Sequence, residues 1–366
     1  MGSSACGGHY GHARVTSSAA SACSLKNGCD RNKQRSHREI LSKAVIHSRK
    51  ETGQRVILNE VHLDDRNCSN IMRRIAALIT SYNRVEKTMA CLSALKGQVL
   101  PQGASLEVYL VDDASSDGTA ETVAARFPEV NILQGTGSLF WNGAMRIAFA
   151  EACRGDYDSY LWVNEDTVLA ADAVARLLKC EASIRDSGKG KIIVVGSICS
   201  AHTGELTYGG FVRCSWLHPM KYKMVSPEAH LIEVETMNGN CVLVTAEAAK
   251  VTGNLGASFT HGIGDFDYGL RARAAGCSVW LADGFVGTCE RDTLGCAFQG
   301  KWVSWRDYWG QILGPKGLPP KEWRTYVGLH GGPLWPIYWI LPYIRFSVTA
   351  ITEMVRARWG RSCKEQ

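Results

Sequence analysis

From Ile75 onward the chain alternates short, wholly apolar runs with longer amphipathic segments, and this rhythm limits the folds open to it. Residues 75–80 (IAALIT) read as a buried strand and 85–95 as a helix. Residues 106–111 (LEVYLV) are a second strand, followed by a helix over 117–127. A short strand at 130–133, a helix at 142–152, a strand at 159–163 and a helix at 170–180 continue the pattern. Runs of this length are buried on both faces, which predicts an α/β architecture: a mainly parallel sheet with helices on either side. After Lys191 the rhythm loosens. IIVVGSI and CVLVT are strands, a Gly-, Trp- and Lys-containing stretch lies between them, 265–275 is a helix and 278–282 a strand. Beyond Cys289 the chain is rich in aromatics and proline and is expected to end in helices.

Charge and cysteine usage exclude several classes. The net charge of +6 resides in the first 74 residues, which hold 13 Lys and Arg against 6 Asp and Glu; the rest carries 28 against 29. The folded part is neutral, so a nucleic-acid partner is not expected. Residues 1–71 lack periodicity and read as a disordered basic leader, with a weak helix near 38–50. Met72 directly precedes the first strong strand and is a candidate natural start. The chain's opening has no apolar signal core. The 14 cysteines are scattered, and no CxxC pair occurs. Cys91, Cys153, Cys199 and Cys241 read as small core residues of a protein from a reducing, cytoplasmic compartment. The apolar stretch 333–351 contains three prolines and Arg345, a poor spanning helix but a suitable membrane-surface segment.

In open parallel sheets, ligands gather at the carboxyl ends of strands, and four polar clusters fall there or at a helix start. Thr80-Ser-Tyr-Asn-Arg84 follows the first strand. Val111-Asp-Asp-Ala-Ser-Ser-Asp-Gly-Thr119 follows the second. A carboxylate at such an exit can accept from a base N–H or from ribose hydroxyls, and the same residues also suit a turn and helix N-cap. Val163-Asn-Glu-Asp-Thr167 offers Glu165 and Asp166, hard oxygen ligands for Mg²⁺ or Mn²⁺, or else a solvated turn. His261-Gly-Ile-Gly-Asp-Phe-Asp-Tyr-Gly-Leu-Arg271 puts Asp265 near a helix start, as a general base or as an N-cap, with Asp267 and Arg271 spaced to pair. Gly135-Thr-Gly137 is a lone GxG, and P-loop, zincin and hydrolase-elbow motifs do not occur.

Taken in order, LITSYNR, VDDASSDGT, LWVNEDT and GDFDYGLRARAAG resemble the motifs of the family 2 glycosyltransferases, over roughly Arg74 to Asp292. GSLFWNGAMRIAFAEA and the tail GPKGLPPKEWRTYVGLHGGPLWPIYW resemble a rhamnosyltransferase-like subgroup. The resemblance implies a GT-A fold over 72–292 with a helical extension over 293–366. It implies inverting transfer of a sugar from a UDP- or dTDP-sugar to a hydroxyl of a glycan or lipid-linked acceptor. Thr80, Tyr82, Arg84, Asp112, Asp113, Trp141, Asn142 and Asn164 would bind the nucleotide-sugar donor. Asp166 with Glu165 would hold Mg²⁺ or Mn²⁺, and Asp265 would be the catalytic base. Two departures stand out: Gly264 replaces the Glu of the usual Glu-Asp pair, and Cys289 lies where relatives place a metal-binding His. Rival readings are a nucleotidyltransferase, which would normally carry a Gly-rich loop near its first strand, and a non-catalytic nucleotide-sugar-binding protein. Trp302, Trp305, Trp309 and Trp323 offer stacking faces for sugar or lipid, or serve packing alone. The 333–351 segment would supply a peripheral membrane contact.

Overall fold

The computed structural model describes residues 56–57, 72–215, 218–291 and 305–362, with backbone alone for 56–57 and 353–362. All of these lie within one compact unit, Gln54–Gln366. Seven strands form the body of its eleven-stranded main sheet: β1 (Arg73–Ser81), β2 (Ala104–Asp112), β3 (Asn131–Gln134), β4 (Ser159–Val163), β5 (Ile192–Cys199), β6 (Cys241–Thr245) and β7 (Ser278–Thr288). Their spatial order is β7-β5-β6-β4-β1-β2-β3. β4, β1, β2 and β3 run parallel, with Ile75 opposite both Ser159 and Leu106. β7 is parallel to β5. β6 is inserted antiparallel between β4 and β5, with Cys241 opposite Val163 and Val242 opposite Val195. The carboxyl ends of six strands and the amino end of β6 therefore share one edge.

Helices cover both faces: α1 (Val85–Lys96), α2 (Thr119–Arg126), α3 (Phe140–Ala152), α4 (Ala173–Asp186), α5 (Ala246–Thr252) and α6 (Gly264–Ala274). The side chains of β1 alternate between two cores. Ile75, Ala77 and Ile79 join Leu92, Leu95, Leu177 and Ile184 on the face of α1 and α4. Ala76 and Leu78 join Met145, Phe149 and Tyr268 on the face of α3 and α6. That two-sided burial is why the strand reads as a continuous apolar run rather than an alternating one. The mixed, mainly parallel sheet with flanking helices expected from the sequence is present.

Several local differences have physical causes. β7 extends to Thr288 instead of stopping near Ala282, because two register shifts and Gly284 at φ 59° let it bend and keep pairing. Helix α4 starts at Ala173, since Val168–Leu169 are drawn into a strand pair with the end of β7. The loose stretch after β5 contains a small sheet of Gly210–Arg213, Tyr222–Met224 and Thr236–Met237. It is held by Phe211 and Tyr222 against Phe266, a contact that local sequence does not reveal. Val56–Ile57, within the leader expected to be unstructured, pair with the edge strand Leu231–Glu233 and cover its free hydrogen-bonding groups. The rest of the leader reading, including the 38–50 helix, falls outside the described residues, which resume at Met72. Cys91 and Cys241 are buried as expected, whereas Cys153 is exposed and Cys199 only partly buried.

The chain ends in α7 (Trp305–Leu313), α8 (Pro320–His330) and α9 (Trp335–Ser362). Tyr326 and Val327 of α8 and Tyr338 of α9 bury with Phe259, against Ile263, Phe266 and Leu270 around α6. Glu322 accepts from the Thr260 N–H and hydroxyl, and His330 Nε2 sits 2.9 Å from the Asp267 carboxylate. Trp302 falls outside the described residues. Trp323 donates to the Tyr338 carbonyl and stacks on Tyr326, so its role is packing, while Trp305 remains exposed.

Candidate active site

The loops leaving β1 and β2 are knitted together. The Asn83 amide donates to Ser115 Oγ, Asn83 Oδ1 accepts from the Ser116 N–H, and the Val85 N–H donates to Asp117. Asp117 also accepts from the Thr119 hydroxyl at the start of α2. Thr80 is buried at the end of β1, and Tyr82 is 52% exposed, its ring open for stacking. Asp112 is 1% exposed. Its Oδ2 accepts from the Ser115 N–H, and its Oδ1 has no hydrogen-bond partner among the described residues. A buried acceptor in that state carries a desolvation cost that a ligand donor would relieve.

Asp113 spends its carboxylate on the loop that leads into α3. Oδ1 accepts from the Thr136 and Gly137 N–H groups, and Oδ2 from Leu139 and Phe140. A side chain at Gly135 would run into Asp113 itself, which is why that position takes no Cβ. The loop delivers Trp141, whose Nε1 donates to Asn164 Oδ1 at 2.8 Å. Asn142 faces inward instead: fully buried, it donates to the carbonyls of Gly256 and Phe259. It thereby fixes the segment that leads to α6.

The third cluster follows β4. Arg84 Nη1 lies 3.1 Å from Glu165 Oε1 and 2.9 Å from Asp166 Oδ2, so the two carboxylates aim one oxygen each at a common point. Lys87 stands 3.7 Å from the same Asp166 oxygen. On the other side, Cys289 Sγ donates to Asp166 Oδ1 at 3.3 Å. Burial first, and the neighbouring Asp166 second, push the Glu165 carboxyl up to about 7 against the pull of Arg84. Burial and the same Asp166 push the Cys289 thiol up to about 12. Two acids converging on one cation, here the Arg84 guanidinium, are oxygen groups of the kind that could also hold a hard divalent ion. No group of three or more His, Cys, Asp or Glu among the described residues forms a closed metal cage.

The fourth cluster meets the third across β6. The Asn164 N–H donates to the Asn240 carbonyl, and one residue earlier the Gly239 N–H donates to Asp265 Oδ2 at 3.0 Å. Asp265 does not cap α6. Ile263, at φ 68°, holds the cap position, and the Asp265 carboxylate accepts from Phe266 and Gly239 and from the Asn238 side chain. Burial nevertheless raises its carboxyl above the usual range. Asp267 does pair with Arg271, as its spacing suggested, and with His330, and these partners lower its carboxyl despite burial. The residues overlooked in the sequence are Lys87, Asn238, Gly239, Asn240, Tyr222 and Tyr326. Tyr326 hydrogen-bonds Tyr222 and feels the Asp265 charge, a link made by a helix sixty residues downstream. The only sequence signal was Asn238-Gly239-Asn240 directly before a buried strand.

Backbone strain marks the same edge. Among the described residues, the non-glycine positions with positive φ are Asn83, Ala114, Phe140 and Ile263. Each adjoins a site segment, and each costs of order 1–3 kcal/mol that the surrounding structure must hold in place.

Residues 76–182, which span three of these clusters, match the family model "Glycosyl transferase family 2". The chain is 32% identical over 109 residues to an undecaprenyl-phosphate mannosyltransferase of Micrococcus luteus, covering 29% of this chain and 43% of that one. It is 32% identical over 125 residues to an N-acetylglucosaminyltransferase of Rhizobium leguminosarum bv. phaseoli, covering 32% and 28%. It thus spans less than half the length of these curated relatives. Among solved structures it is similar to a mannosyltransferase from Pyrobaculum calidifontis in complex with GDP-Man and Mn²⁺, at 16% identity and TM-score 0.48, covering 79% of this chain and 76% of that one. It is also similar to S. aureus TarS 1-349 with UDP-GlcNAc, at 13% identity and TM-score 0.45, covering 78% and 81%. Over residues 76–182 the chain thus resembles the family 2 glycosyltransferases, and the two curated relatives it matches are both named as transferases.

Proposed function

We propose that this protein transfers a sugar from a nucleotide-diphosphate donor, a UDP- or dTDP-sugar, to a hydroxyl of a glycan or lipid-linked acceptor, with inversion at the anomeric carbon. The observation that carries the reading is the continuous hydrogen-bonded path along one sheet edge: Asp113 to the 136–140 loop, Trp141 to Asn164, Asn164 to Asn240, and Gly239 to Asp265. Acids distant in the chain are thereby linked along one edge of the sheet.

Each side chain takes a role its surroundings support. The exposed ring of Tyr82 stacks on the base, and the unpartnered Oδ1 of Asp112 accepts a donor from base or ribose, with Thr80 beside it at the strand exit. Asp113 and Asn142 act through backbone, the first by shaping the loop under the donor and the second by fixing the approach to α6. Trp141 and Asn164 form the floor between donor and acceptor. Asp166, with Glu165, would hold Mg²⁺ or Mn²⁺, which supplies neutralisation of charge on the departing diphosphate. Arg84 and Lys87 already neutralise these acids and share the diphosphate with the ion. Asp265 accepts the proton of the acceptor hydroxyl as that oxygen attacks. Burial raises its proton affinity, and three donated hydrogen bonds orient it.

Two measurements test this. Asp265→Asn is expected to lower kcat at least ~10²-fold, the scale of a lost general base, while donor binding persists. Near-wild-type turnover would remove Asp265 from the role. EDTA is expected to abolish transfer, with Mn²⁺ or Mg²⁺ restoring it; full activity in chelator would remove the ion from the reading.

A further inference from the structure

Helix α9 is docked on one side and bare on the other. Inward, Trp339 Nε1 donates to the Pro320 carbonyl, Tyr343 donates to Leu318, the Phe346 carbonyl accepts from Tyr308, and Tyr338 is buried. Outward, Ile337, Ile340, Leu341, Ile344, Val348 and Ile351 are 49%, 41%, 39%, 50%, 55% and 51% exposed. At 100° per residue these six aliphatic side chains fall in a single sector roughly 100° wide, and at 1.5 Å per residue the stripe is about 21 Å long. No charged residue interrupts it. A contiguous wet aliphatic face is costly for a soluble surface and marks a contact.

Charge says what the contact is. The described part of the extension exposes Arg306, Lys316, Lys321, Arg324 and Arg345 against Asp307, while Glu322 is turned inward onto Thr260. The sequence beyond adds Arg356, Arg358, Arg361 and Lys364 against Glu353 and Glu365. Pairing this face with a second copy would bring two net cationic extensions together, because a two-fold interface matches each patch with itself. No helix among the described residues is long and apolar enough to cross a membrane. An aliphatic stripe on a net cationic extension instead suits the plane of an anionic bilayer, with the aliphatic side chains in the acyl boundary and the cations drawn to the headgroups.

We infer that α9 is a membrane-surface anchor selective for anionic lipid, seated through Ile337, Ile344, Val348 and Ile351. The surface contact stands without the transfer reading. Its use, bringing a lipid-borne acceptor to the Asp265 cleft through α8, rests on that reading.

The test is flotation of the full-length protein with phosphatidylcholine vesicles, with and without phosphatidylglycerol, at low and high salt. The wild type is expected to float with the anionic vesicles in a salt-sensitive manner. Ile344→Glu with Val348→Glu is expected to reduce the bound fraction at least ~10-fold, and Lys321→Glu with Arg345→Glu to remove the preference for phosphatidylglycerol. Both should keep the wild-type circular dichroism and nucleotide-sugar thermal shift. A milder Ile344→Ser, Val348→Ser pair guards against misfolding and is expected to weaken binding in the same direction. Wild-type protein that stays with the soluble fraction, or glutamate variants that float equally well, would overturn the anchor. So would a wild-type dimer in sedimentation velocity that the glutamate variants convert to monomer. Flotation without transfer to any acceptor would leave the anchor standing and sink only the transfer reading.

Discussion

Asp265, the base of the proposed reaction, is a buried carboxylate that carries a cost of its own. Its proton affinity is raised by burial, so it titrates above the ordinary Asp range of about 4. For a carboxyl raised in the folded state, the stabilising contribution is present at low pH and is lost as pH rises through the folded value. Above that folded value the protein bears the cost of ionising a buried group, a cost the proposed base role would account for. Asp265→Asn is expected to melt no lower than wild type at pH 7, with the difference narrowing as pH is brought down past the folded value; Tm against pH checks this. A variant that is strongly destabilised at pH 7 would show that the Gly239 and Phe266 hydrogen bonds outweigh the burial cost. Glu165 obeys the same sign, its contribution fading as pH rises from about 4.5 towards 7.

Helices α6 and α8 form one mechanical piece. Asp267, 1% exposed, accepts from Arg271 at 2.7 Å and lies 2.9 Å from His330, and these partners keep its carboxyl below the usual range. This group has the opposite sign to Asp265: its stabilisation is present at neutral pH and is lost as the solution is acidified through the lowered value. Asp267→Asn leaves the Arg271 charge half-buried without its counter-ion. It is expected to cost about 3 kcal/mol, the scale for breaking one side of a buried pair. Because His330 is the far end of α8, faster proteolysis or amide exchange across Pro320–His330 is expected as well. The i, i+4 half of this arrangement was legible in the sequence, since it is local. The His330 half was not, because nothing in residues 320–330 indicates which surface that helix covers.

At the scale of the molecule, the site edge is made by strand directions. The N-terminal parallel strands bring Thr80, Asp112 and Glu165 to one edge in the manner the alternating pattern predicted. Asn238, Gly239 and Asn240 join them only because β6 runs the other way and starts where its neighbours end. A donor bound there would tie the β1, β2 and β4 loops to α6. In a thermal-shift panel of UDP-, dTDP- and GDP-sugars with Mn²⁺, the correct donor at a hundredfold excess over Kd is expected to stabilise by about 2.7 kcal/mol. A flat panel would argue against nucleotide-sugar binding.

The sequence by itself determined the α/β rhythm, the strand exits with their acids and the aromatic helical tail, because strand burial and turn chemistry are written in contiguous residues. The tertiary structure alone decided what those acids touch. Asp113 is consumed by four backbone N–H groups, Asn142 is sealed inside, Arg84 sits on Glu165 and Asp166, and Cys289 meets Asp166 from the end of β7. The partners in these contacts lie 23 to 123 residues apart. Periodicity carries no information over such separations; sheet order and strand direction do.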